Sequence, residues 1–135
     1  MSGTRDELVK SWLVKASRDI LSANELASAQ ESLLDSAAYH CQQAAEKAIK
    51  GYLLYHDVRF EKTHDIVLLL AQATDIDSQF ADFADGARLL APLAVEFRYP
   101  GDFLEPEREE FQEAYESAQA IYTFILARLP ESSRP

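Results

Sequence analysis

The chain has little of what most function classes need. A single cysteine, Cys41, excludes an intrachain disulfide and suits a reducing, cytoplasmic setting. Glycine is limited to Gly3, Gly51, Gly86 and Gly101. Neither GxGxxG nor GxxxxGK occurs, so no glycine-rich phosphate loop and no cofactor motif is present. No serine sits in a nucleophile elbow. His40, His56, His64 and Cys41 are scattered without metal-ligand spacing, so no metal is expected. No apolar run approaches the length of a membrane span, and no signal peptide is visible. Positive charge is also short: 13 Lys and Arg against 23 Asp and Glu give a net charge of −10. That opposes sequence-independent binding to nucleic acid, whose affinity comes from Lys and Arg displacing counterions. It suits a partner with a basic surface.

What is present is helical periodicity along nearly all of the 135 residues, with about half of them apolar. The length fits one domain, over residues 1–128, with a disordered tail over 129–135. "TRDE" reads as a capping box, Thr4 with Glu7, opening a first helix. Its expected apolar stripe is Leu8, Trp12, Ala16, Ile20, Ala23 and Ala27. A second helix spans roughly residues 31–55, with a stripe of Leu34, Ala37, Ala38, Cys41, Ala45, Ala48 and Tyr52. The polar "HDVRFEKTHD" breaks the pattern, and Thr63 is expected to cap a short third helix.

Asp77 or Ser78 opens a fourth helix, which Pro92 should kink. "RYPGD" ends it, with Tyr99 extended before proline. Pro106 suits the first turn of a last helix whose Glu107, Glu109 and Glu110 complement its positive end. The predicted fold is an all-α, up-and-down antiparallel bundle of four long helices and one short one. Such a path puts the end of helix two, "KTHD" (62–65) and "FRYP" (97–100) at one end of the bundle.

"AYHCQQAAEKAIKGYL", then "KTHD" opening a short helix, then "FRYPGDF" before a Glu-rich last helix, resembles the HEPN domain, the nucleotide-binding domain of higher eukaryotes and prokaryotes. The resemblance spans roughly residues 6–128. It implies a bundle that commonly forms a homodimer and often pairs with a minimal nucleotidyltransferase as a toxin–antitoxin couple. Many members are metal-independent ribonucleases, while others bind nucleotides or are non-catalytic. The nuclease branch uses an Arg followed four to six residues later by a His. Arg98 matches the arginine, but positions 102–105 are Asp, Phe, Leu and Glu, and no histidine occurs after His64. Arg59 and His64 have the spacing in "RFEKTH", in the wrong loop.

With the resemblance in view, the candidate ligand-binding residues are Gln43, Glu46, Lys47, Lys50, His64, Arg98 and Tyr99. The plain alternative for His40, Gln43, Lys47 and Lys50 is a solvated helix face, with Glu46 and Lys50 as a surface ion pair. Arg98 clamps the carbonyls that end helix four, pairs with Glu46 or Asp65, or binds phosphate bidentately. Gly51 marks a tight helix crossing or a dimer axis. The expected function is a non-catalytic homodimer that works with a nucleotidyltransferase and binds a nucleotide or RNA phosphate. The alternatives are a ribonuclease using Arg98 and His64, and an acidic scaffold protein without a ligand.

Overall fold

A computed structural model describes residues 2–60, 62–94 and 105–135. Among these, five α-helices and no strand are formed: α1 (Ser2–Ser28), α2 (Leu34–Tyr55), α3 (Ile66–Ile76), α4 (Ala84–Leu90) and α5 (Arg108–Ala127). The central helix is α2, which packs against α1, α3 and α5. Its inner surface is mostly alanine: Ala37, Ala44, Ala45 and Ala48 are fully buried. Small side chains let the flanking helices come close. At Gly51 a Cβ would stand 3.2 Å from Trp12 Cβ, so the glycine marks the α1–α2 crossing inside one chain.

The helix limits depart from the expected ones for local reasons. α1 begins at Ser2, so Thr4 lies in its first turn and not at the N-cap. The inward stripe of α1 is Val9, Leu13, Ala16, Ala23 and Ala27, while Leu8 faces solvent. Two adjacent apolar rows compete here, and the row through Val9 and Leu13 meets α2. No side chain of its own caps α2; Leu34 N donates instead to Glu105 Oε1 at 3.1 Å, from 71 positions away. Asp65, not Thr63, caps α3: its carboxylate accepts from Val67 N and Leu68 N, both at 3.1 Å. Thr63 lies too early to reach those amides and accepts from Asp65 N at 3.0 Å.

The expected long fourth helix is a composite. Asp77 caps a 3-10 turn over Ser78–Phe83, α4 follows for seven residues, and a second 3-10 turn covers Ala91–Ala94. The α-helix stops two residues before Pro92, where the ring would crowd the preceding turn. The phenylalanines of this stretch face inward, and Phe80 and Phe83 both pack on Phe124 of α5 at 4.8 Å between ring centres. Glu107 is the N-cap of α5 and forms a capping box with Glu110, which places Pro106 just outside the helix. The C-terminal segment is held, in contrast to the disorder expected there. Leu129 is buried, Glu131–Ser133 form a 3-10 turn, and the buried Ser133 donates from Oγ to Asp6 Oδ1 at 2.8 Å. Burial pushes the Cys41 thiol up to about 12.

Candidate functional site

The polar residues of α2 fall into two clusters, each built on one buried carboxylate. The first centres on Glu46, only 3 % exposed. Its Oε2 accepts from Lys50 Nζ at 3.0 Å, one helical turn on. Its Oε1 meets His64 Nδ1 at 3.0 Å, Gln42 Nε2 at 3.1 Å and Gln43 Nε2 at 3.4 Å. Gln43 Nε2 also donates to Gln42 Oε1 at 2.7 Å, and Gln42 Nε2 to the His64 carbonyl at 3.3 Å. Burial alone would raise the Glu46 carboxyl, but the hydrogen bonds from Lys50, Gln42 and His64 hold it below the usual carboxylate range.

Lys50 is 7 % exposed, and its ammonium lies 5.7 Å from the ring centres of both Trp12 and Phe60. Those rings stand edge to face at 6.3 Å and close over it. The Glu46–Lys50 pair is therefore buried, not a surface ion pair. Breaking such a pair costs far more than breaking an exposed one, because the remaining charge is left without a partner. His64 differs: its side chain is 66 % exposed. An ionised carboxylate can only accept, so Nδ1 carries the proton and Nε2 is left facing outward.

The second cluster centres on Asp19 of α1, also buried. Asp19 Oδ1 meets His40 Nδ1 at 2.8 Å, and Oδ2 accepts from Lys47 Nζ at 2.7 Å. Lys47 thus turns toward α1 and does not join Glu46. The structure brings Gln43, Glu46, Lys50 and His64 together, adds Gln42, and separates Lys47 from them. Arg98, Tyr99 and the whole "FRYP" stretch lie outside the described residues. Arg59, the partner of His64 in the "RFEKTH" spacing, is exposed; its carbonyl accepts from Gln72 Nε2 at 3.4 Å.

The position of His64 also differs from the expected bundle end. Gln42 reaches the His64 carbonyl from 13 positions before the last residue of α2. At 1.5 Å per residue that is about 20 Å back along the helix. The connection after α2 folds back beside it, so the Glu46 cluster flanks the middle of α2. Asp19 and Gln42 were the residues missed. Gln42 stood in view beside Gln43, whereas nothing local distinguishes Asp19 from the other acids of α1.

No curated protein matches the chain. Two solved structures do. TT1696 from Thermus thermophilus is 27 % identical, with a TM-score of 0.71 over 90 % of this chain and 98 % of that one. The archaeal HEPN homologue ST0689 is 25 % identical, with a TM-score of 0.69 over 89 % of this chain and 96 % of that one. The HEPN domain family matches residues 9–129, and the chain belongs to that family.

Proposed function

We propose that this chain is a non-catalytic HEPN module. In this reading it forms a homodimer, acts with a minimal nucleotidyltransferase partner in a toxin–antitoxin couple, and binds a nucleotide or RNA phosphate at His64. The observation that carries the ligand part is the fixed, exposed imidazole. Buried Glu46 holds Nδ1, and Nε2 faces solvent, where it donates to a phosphate oxygen when the ring is protonated. Lys47 and Lys50 contribute little to the site, since each is neutralised by a carboxylate. Arg98, which matches the arginine of the family's nuclease branch, is the further cationic residue that this reading assigns to the ligand. The absence of any histidine after His64 supports the non-catalytic part.

Titration of the purified protein with nucleotides tests this reading. Saturable binding that is weakened in both His64→Ala and Arg98→Ala is expected; no binding at millimolar nucleotide removes the ligand part. Co-purification with a nucleotidyltransferase encoded beside it tests the partner, and that complex should weaken with salt because the chain carries −10.

A second reading, a metal-independent ribonuclease using His64 and Arg98, is favoured by one observation. A carboxylate on Nδ1 fixes the tautomer in which Nε2 is a base. It predicts RNA cleavage in the presence of a chelator and loss of cleavage in His64→Ala. RNA that remains intact with the wild-type protein rejects it.

A further inference from the structure

The Asp19 cluster has no part in the function proposed above, yet it borders an open groove of about 520 Å³ between α1 and the first turns of α2. Arg18, Leu21, Ser22, Glu25, Leu26 and His40 line this groove. His40 is held as His64 is: Nδ1 donates to a buried carboxylate, so Nε2 is the ring nitrogen left for a ligand. Lys47 neutralises Asp19 from behind, so a charged ligand does not meet a bare carboxylate. Arg5, Arg88 and Arg128 each pair with an aspartate, whereas Arg18 has no hydrogen-bond or ion-pair partner among the described residues.

We propose that this groove binds a small organic oxyanion. Its phosphate or carboxylate head sits on Arg18 and His40, and its apolar body lies against Leu21 and Leu26. The guanidinium offers a planar pair of donors that matches either head. Nε2 donates to an ionised oxygen when the ring is protonated, and accepts from a protonated one when it is neutral. The Ser22 hydroxyl adds a donor on the same wall. Glu25 sets the limit. It lies seven positions after Arg18, about 10 Å along α1, and repels a second negative group. The ligand is therefore a compact molecule with one anionic end, not a polyanion such as a nucleic acid strand.

NMR of the 15N-labelled protein, with the histidine ring signals followed, tests the site with phenyl phosphate, benzoate and inorganic phosphate at neutral pH. Saturable shifts at Arg18, Ser22, Leu26 and His40 are expected with at least one of the two aromatic anions. The tighter of the two identifies the head group. Inorganic phosphate, which lacks the body, should bind at least about tenfold more weakly. Arg18→Ala removes no hydrogen bond or ion pair among the described residues and should raise the Kd about tenfold, the effect of one lost charge-assisted pair. His64→Ala should leave the Kd unchanged, which separates this groove from the site proposed above. The proposal is overturned if neither aromatic anion gives saturable shifts, if inorganic phosphate binds as well as they do, if Arg18→Ala binds like the wild type, or if the shifts follow His64 instead.

Discussion

At the scale of single residues, Glu46 decides the most. It satisfies Lys50, His64, Gln42 and Gln43 at once, and all but His64 are buried. Glu46→Ala should destabilise the protein by about 3 kcal/mol in urea unfolding, because Lys50 is left charged between two rings. Adding Lys50→Met should recover much of that loss, and the double-mutant cycle measures the coupling directly. The same carboxylate sets an acid limit. Its folded value is depressed below the unfolded value of 4.5, so its contribution is complete above about pH 4.5 and is lost as pH falls through the lower folded value. Asp77 is lowered in the same direction, by the Gln79 amide and Arg128, from 3.8. Urea midpoints should therefore fall with acidification below pH 4.5, and Glu46→Gln should start lower and fall less. The Glu46–Lys50 spacing was legible in the sequence, but its burial was not. Helical periodicity assigns polar residues to the wet face, and only the fold brings Trp12 and Phe60 over this one.

At the scale of elements, local signals mark that a helix begins nearby but not always which residue caps it, and they are silent where the partner is remote. Asp77 caps the turn it precedes, and Glu109 and Glu110 stand in the first turn of α5 as expected, but Glu107 is its N-cap and closes a capping box with Glu110 that the sequence reading does not include. The start of α2 depends on Glu105, which no local pattern reveals. α3 was expected to rest on Thr63 and rests on Asp65. Asp65→Ala should cost about 1 kcal/mol and Thr63→Ala less, compared by denaturant midpoint. The α1–α2 crossing gives a sharper test. Replacing a helical glycine by alanine ordinarily gains up to about 1 kcal/mol. At Gly51 the new methyl meets the Trp12 Cβ at 3.2 Å, next to backbone that cannot turn aside. Gly51→Ala should leave the melting temperature unraised, and Gly51→Leu should lower stability by about 1–3 kcal/mol or more through overpacking. The composite nature of the fourth element escaped the sequence because its apolar spacing suits a continuous helix, while Pro92 and the Asp77 cap favour tighter turns at both ends.

At the scale of the molecule, helix content and order followed from periodicity, and the family followed from three short motifs in order. What did not follow is the path of the chain after α2, which returns along that helix and puts His64 beside its middle. Periodicity says nothing about the direction of a polar connection. Ser133 ties the last residues to α1 through Asp6, so deletion of residues 131–135 should lower stability by about 1 kcal/mol, the net value of one partly buried hydrogen bond. Thermal unfolding of the shortened chain measures it. Cys41, finally, makes the fold its own reporter. The lone thiol is 1 % exposed on the inner face of α2 and is protonated far above neutral pH. A thiol reagent can reach it only when the helices around α2 part. Its labelling rate in native buffer therefore counts the openings of the bundle, and a ligand or partner that grips α1 or α2 will slow that clock without touching the sulfur.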